Sequence, residues 1–249
     1  MRLRTTIFAA LTALSSAFTA VVLAGPADEL VLVAGATGGT GRQIVAQLQE
    51  QGYGVRALVR DAASAADKLG ADVELIVADV RDPESLATAF DGVTAVISAI
   101  GASEKEGSNS PEFVDYGGNK NLIDAAVNAG VRQFVMISSM SVTHEDHVLN
   151  RIFGNVLIWK LKSEGYLRDS GIPYTVLRPG GLHDKPGGER QIVFEQIDEV
   201  KTVSISRADI ASVCVAALAT AEARNKIFEV FTVREPPNTD WSAKFSALD

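Results

Sequence analysis

Three glycines, Gly35, Gly38 and Gly41, recur three residues apart within Leu30-Val-Leu-Val-Ala-Gly-Ala-Thr-Gly-Gly-Thr-Gly41. The residues before the array are apolar, and Ile44, Val45 and Leu48 form a helical stripe after it, so the array falls on a strand-to-helix turn. A turn of this kind that carries a pyrophosphate makes three demands. One residue must take positive φ, one must lack a Cβ where the phosphates approach, and one must let the helix pack closely on the strand. The helix then turns its first N–H groups toward the anion. Gly35, Thr37, Gly38, Gly39, Thr40, Gly41 and Arg42 are therefore the candidate phosphate cradle. A tight turn with no ligand is the competing reading.

The next strand ends Ala57-Leu58-Val59-Arg60-Asp61, a place that faces the adenosine ribose in a dinucleotide site. An acid there accepts hydrogen bonds from both ribose hydroxyls, whereas an arginine pairs with a 2′-phosphate and stacks on adenine. Arg60 lies nearer the strand end than Asp61, and Arg42 reaches the same corner. NADP(H) is thus expected ahead of NAD(H), which stays possible, and a solvated pair of charges is the plainer alternative. In Ala78-Asp79-Val80 the carboxylate either accepts from the adenine amino group or caps a helix beginning near Pro83.

Such residues need a scaffold that brings strand ends together. From Leu30 onward short apolar runs alternate with helical stretches, as parallel α/β units do. Leu30–Ala34, Val55–Val59, Val73–Val77, Ala95–Ser98, Gln133–Ser138 and Tyr174–Arg178 read as strands, several apolar on both faces. Arg42–Gln51, Pro83–Phe90, Tyr116–Ala129 and Phe153–Ser170 read as helices, and Pro186-Gly-Gly188 and Pro236-Pro237 mark loops. The expected fold is α/β: a Rossmann-type, doubly wound parallel sheet with helices on both faces, in one domain spanning 25–249.

Composition narrows the function classes. Of 249 residues 47% are hydrophobic, enough for a packed core. Acidic residues outnumber basic ones 31 to 23, which argues against a nucleic-acid binder. The lone Cys214 reads as a small buried residue of a Val/Ala-rich helix, and His144, His147 and His183 have no ligand-like spacing, so no metal site is expected. Arg2 and Arg4 precede an apolar run from Ile7 to Ala24, and Val22 and Ala24 fit a cleavage site before Gly25. Residues 1–24 thus read as a secretory-type signal, giving an exported or membrane-associated protein. The alternatives are an uncut anchor, the one expected membrane contact, and an organelle transit peptide for a plastid or mitochondrion.

The glycine array, Ala78-Asp79-Val80, Val114-Asp-Tyr-Gly-Gly-Asn-Lys-Asn-Leu-Ile-Asp-Ala-Ala126, Gly130-Val-Arg-Gln-Phe-Val-Met-Ile-Ser-Ser139, Trp159-Lys-Leu-Lys-Ser-Glu164, Ser170-Gly-Ile-Pro-Tyr-Thr-Val-Leu-Arg-Pro-Gly-Gly181 and Ser206-Arg-Ala-Asp-Ile210 occur in order. Together they resemble an atypical short-chain dehydrogenase/reductase of the NAD(P)H-binding, NmrA-like kind. The resemblance implies a Rossmann sheet carrying NADP(H). It places Arg178, Pro179, Gly180 and Gly181 near the nicotinamide, and has Ser98, Ala99, Ile100 and Gly101 line the cofactor's second half, with Val80 beside Asp79.

One departure bears on chemistry. Better known members use Tyr-x-x-x-Lys, in which the lysine binds the nicotinamide ribose and lowers the tyrosine pKa so that the phenol transfers a proton near neutral pH. Matching Lys160 and Glu164 to the family's Lys-x-x-x-Glu puts Val156 in the tyrosine's place. The serine side is kept at Ser138 and Ser139, Asp115 stands where many relatives carry asparagine, and Tyr166 falls on another face of the helix. Lys160 and Ser139 are the candidate catalytic residues; pairing of Lys160 with Glu164 as ordinary surface charge is the alternative.

Two functions fit. In one, the chain is an NADPH-dependent oxidoreductase acting on a quinone, flavin or conjugated carbonyl, small molecules that need less acid assistance. In the other it is a non-catalytic NADP(H)-binding redox sensor with a regulatory protein partner. A sugar-nucleotide epimerase would need the missing tyrosine and a larger C-terminal part.

Overall fold

The computed structural model describes residues 26–70, 73–196 and 202–249; the proposed signal, residues 1–24, lies outside them. The apolar runs form β1 (Leu30–Ala34), β2 (Gly54–Val59), β3 (Glu74–Val77), β4 (Ala95–Ser98), β5 (Gln133–Ile137) and β6 (Tyr174–Pro179). Between and after them come α1 (Gly39–Glu50), α2 (Ala62–Leu69), α3 (Asn119–Ala129), α4 (Val148–Ile152) and α5 (Val156–Asp169). The C-terminal third adds β7 (Gly181–His183), β8 (Gln191–Glu195), β9 (Ser204–Ser206), α6 (Arg207–Ala219), β10 (Lys226–Val233) and α7 (Trp241–Ser246).

The main sheet has eight strands in the order β3-β2-β1-β4-β5-β6-β10-β8. Its pairs are parallel except at the edge, where β8 runs antiparallel to β10. Strand order reverses between β1 and β4, so the connections leaving these strands diverge and open a crevice at their C-terminal ends. In β1, Val31 and Val33 point into one apolar layer with Ile44, Val45 and Leu48 of α1 and much of α6. Leu32 and Ala34 point into the other, with Leu122 and Ile123 of α3 and Leu167 of α5. Burial on both faces is why β1 reads as an unbroken apolar run rather than an alternating one. Cys214, fully buried on α6, belongs to the first layer, and burial pushes its thiol pKa up.

Several expected boundaries are corrected. Pro83–Phe90 is not a helix: only Pro83–Leu86 forms a 3-10 turn, since so short a segment gains little as a helix and the turn already buries Leu86. Tyr116–Ala129 begins as a π-helical stretch, Glu112–Gly118, before α3. A Cβ on Gly118 would lie 2.7 Å from Val80 Cγ2, so the wide turn seats backbone directly against the loop after β3. The expected helix Phe153–Ser170 is shortened to α5, Val156–Asp169, because Gly154 and Asn155 take φ of 55° and 59°, which no right-handed helix accommodates and which separate it from the unexpected α4. Helices α2, α4 and α7 and the strands β7 to β10 lie beyond the expected set. Most are short or partly exposed, with weak periodicity, whereas β10 is an eight-residue strand with a buried centre.

Candidate functional site

Each glycine of the array has a different geometric duty. Gly35 takes φ +79°, and a Cβ there would sit 2.6 Å from the Ala99 carbonyl oxygen at the end of β4. At Gly41 a Cβ would overlap the Gly35 carbonyl oxygen, so α1 can close on β1 only without one. Gly38 differs: a Cβ would meet one neighbour, the Gly35 oxygen at 3.2 Å, and its other side is open. The Gly38 N–H donates to the Gly35 oxygen at 3.0 Å and the Arg42 N–H to the Gly38 oxygen at 3.0 Å, which fixes the loop at the start of α1. An open backbone face at a helix N-terminus fits a pyrophosphate. Thr40 is buried in the first turn of α1, Arg42 is exposed, and Gly39 lies against the side chain of Arg207.

A crevice of about 230 Å³ continues from this loop, lined by Gly35, Thr37, Gly38 and Arg60 on one side. Asp79, Val80, Ala99, Ile100 and Gly101 line it as well. Nine of the sequence-derived cofactor residues thus share one wall-to-wall space. Asp79 does not cap the turn at Pro83, as one reading had it; Asp82 does, accepting from the Glu84 N–H at 3.1 Å. The Asp79 carboxylate is instead held by Arg81, which donates to it from Nη2 at 2.5 Å, from Nε at 2.9 Å and from its backbone N–H at 2.9 Å. These hydrogen bonds, helped by the charges of Arg81 and Arg60, keep the Asp79 carboxyl below its ordinary pKa despite partial burial. Arg81 Nη1 also donates to the Ser108 carbonyl at 3.1 Å and Asn109 Oδ1 at 3.0 Å, so it ties the loop after β4 across the crevice.

Beyond the crevice lies a buried polar network. Ser98 Oγ donates to Asn119 Oδ1 at 2.6 Å, and Asn119 Nδ2 donates to the Asp115 carbonyl at 2.7 Å. Asp115, with no exposed surface, accepts from the Ala102 N–H at 2.9 Å and pairs with Lys160 Nζ at 2.8 Å. Lys160 therefore does not pair with Glu164. Glu164 is buried and bound to Arg178 Nη2 at 2.6 Å, and it accepts a short hydrogen bond from Ser138 Oγ. Ser138 and Arg178 are thus committed to joining β5, β6 and α5. Ser139, the residue after Ser138, is half-buried and Pro179 is buried. Gly180 passes so close to the 202–206 segment that a Cβ would sit 2.6 Å from the Val203 oxygen.

Val156 starts α5 one turn before Lys160 and brings no proton-transfer group. Tyr166 does not replace it: its phenol donates to Asp124 Oδ1 on α3 at 2.6 Å, and this hydrogen bond raises its pKa. The sequence reading missed Arg81 and Asn109. Arg81 had a local signal, a cation two residues past Asp79 in a turn. Asn109 had none, because it reaches the crevice through a long loop without periodicity.

The profile of the NAD(P)H-binding family matches residues 35–221. An uncharacterized chloroplastic protein of Arabidopsis thaliana is 40% identical over 244 residues, covering 88% of this chain and 75% of its own length. Sanguinarine reductase of Eschscholzia californica is 37% identical over 261 residues, covering 88% of this chain and 95% of its own. A solved Bacillus halodurans structure assigned to the NAD-dependent epimerase/dehydratases superposes with a TM-score of 0.75 at 25% identity, over 88% of this chain and 100% of its own. With the glycine cradle at the switch point of the sheet and a matched span that covers most of the chain, the protein belongs to the NAD(P)H-binding family of atypical, NmrA-like short-chain dehydrogenases/reductases.

Proposed function

We propose that the chain is an NADP(H)-preferring oxidoreductase that reduces a quinone, a flavin or a similar conjugated carbonyl. The observation that carries the cofactor preference is the charge of the crevice: Arg60 and Arg81 line it with a single carboxylate, Asp79. Two guanidiniums against one carboxylate leave a positive excess suited to a 2′-phosphate. Bound here, the nicotinamide would supply hydride. Lys160, oriented by the buried carboxylate of Asp115, would hold the adjoining ribose, and Lys160, Ser139 or water would deliver the proton. With valine at 156, an acceptor that stabilises its own developing charge suits the site better than a simple ketone. A relative named as a reductase supports the reductive direction.

The same Val156 favours a second reading, an NADP(H)-binding sensor whose partner contact follows the cofactor's redox state. Oxidation of NADPH, followed across a panel of quinones, flavins and aldehydes, separates the two. Turnover lost in Lys160→Ala supports the enzyme. Tight NADPH binding with no turnover, and with Lys160→Ala changing affinity alone, supports the sensor. For location, chloroplastic relatives favour the organelle alternative over export. N-terminal sequencing of the mature protein tests this: a plastid-type processing site, or the secretory cut before Gly25, decides it.

A further inference from the structure

Ser206-Arg-Ala-Asp-Ile210 is the one family-like motif that has no place in the site so far. Its serine and aspartate are structural. Ser206 Oγ accepts from the Asp209 N–H at 3.0 Å and donates to Asp209 Oδ2 at 2.8 Å, closing the N-terminus of α6. Asp209 Oδ1 accepts from the Gly188 N–H at 2.7 Å, which anchors the loop that follows β7. Helix α6 is also tied to α1: Gln47 Nε2 donates to the Ala208 carbonyl at 3.0 Å, and Ser212 Oγ donates to Gln47 Oε1 at 3.0 Å. The first two turns of α6 are therefore held against the third turn of α1, and only the Arg207 side chain reaches back to the first.

Between these anchors stands Arg207, and its side chain lies across Gly39. A Cβ on Gly39 would meet Arg207 Cδ at 2.8 Å and Nε at 2.9 Å, so this glycine leaves the room that the arginine occupies. The position is electrostatically odd. A guanidinium beside the N-terminus of α1 faces the positive end of a helix dipole, an arrangement that is unfavourable without an anion between them. The carboxylate that Arg207 meets, Asp184 at 3.0 Å, has a side chain 83% exposed to solvent, and so exposed a pair contributes little.

We propose that Arg207 is a second arm of the phosphate cradle, reaching it from α6: with the α1 N-terminus it binds the dinucleotide pyrophosphate, and Asp184 holds it when no anion is present. The inference rests on dinucleotide binding at the glycine loop. It adds a residue that reads the phosphates shared by NADPH and NADH, whereas Arg60 is assigned to the 2′-phosphate that distinguishes them.

Calorimetric titration of the purified full chain with NADPH and with NADH tests it, with thermal melts to confirm that each variant is folded. Arg207→Ala should weaken both cofactors by the same factor, about 10- to 100-fold for a charge-assisted contact, and leave their ratio unchanged. Gly39→Ala should weaken binding by displacing the arginine, and should add nothing in the Arg207→Ala background. Three results overturn the proposal: unchanged affinity in Arg207→Ala, a loss confined to NADPH, or a Gly39→Ala loss that is as large without the arginine as with it. Failure of the unmodified chain to bind either dinucleotide would overturn the cofactor reading itself, and this one with it.

Discussion

Arg60 is exposed at the end of β2 and lines the crevice with Gly35, Thr37 and Gly38. Arg60→Ala should therefore cost NADPH about 1.5–3 kcal/mol of binding energy and leave NADH nearly unaffected. Isothermal titration with both cofactors measures this, and equal losses for the two would remove Arg60 from the 2′-phosphate. Asp79 carries a pH signature. Its folded pKa is depressed by Arg81, so the pair stabilises the fold above the ordinary carboxylate range, and that stability is lost as pH falls through the depressed value. The stability gap between the natural chain and Asp79→Asn should be flat from about pH 8 to about pH 5 and close only in stronger acid. Urea titrations across that range check it; a gap that closes near neutrality would point to another group.

At the scale of elements, α5 is where chemistry and architecture meet. One face of its first turns carries Val156 and Lys160, the latter fixed by Asp115 from the π-helical stretch before α3. Another face carries Tyr166, bound to Asp124. Val156→Tyr places a phenol one turn before the lysine, the spacing at which the two side chains share a face. Ketone reduction should then rise, within a range of about 10²- to 10⁴-fold for a positioned acid, while quinone turnover changes little. Steady-state rates on both substrate classes report the outcome. A variant that binds NADPH normally but gains no ketone activity would show that proton delivery is not the limiting step.

For the whole molecule, Glu164 is the joint between β5, β6 and α5, accepting from Ser138 and pairing with Arg178. Glu164→Ala removes a buried acceptor and leaves these partners with an unmet charge, so unfolding free energy should fall by about 3 kcal/mol or more. Chemical denaturation measures it, and a loss below about 1 kcal/mol would mean the pair is replaceable. Sequence periodicity alone located the six strands up to Arg178, since strands buried on both faces, as most of these are, must be apolar throughout; it did not reveal α2, and it read the turn at Pro83 as a helix. It also determined the phosphate turn, because only glycine meets the backbone demands at Gly35 and Gly41. Tertiary structure decided the rest. The break between α4 and α5 depends on left-handed backbone at Gly154 and Asn155, and on how closely that turn approaches the loop after β4. The partners of Lys160 and Glu164 could not be read from spacing, because Asp115 before α3 and Arg178 on β6 come within reach only when these elements pack on α5. Arg207 shows the same limit: its sequence neighbours explain the cap of α6, but its contact with Gly39 exists only because α6 packs on α1.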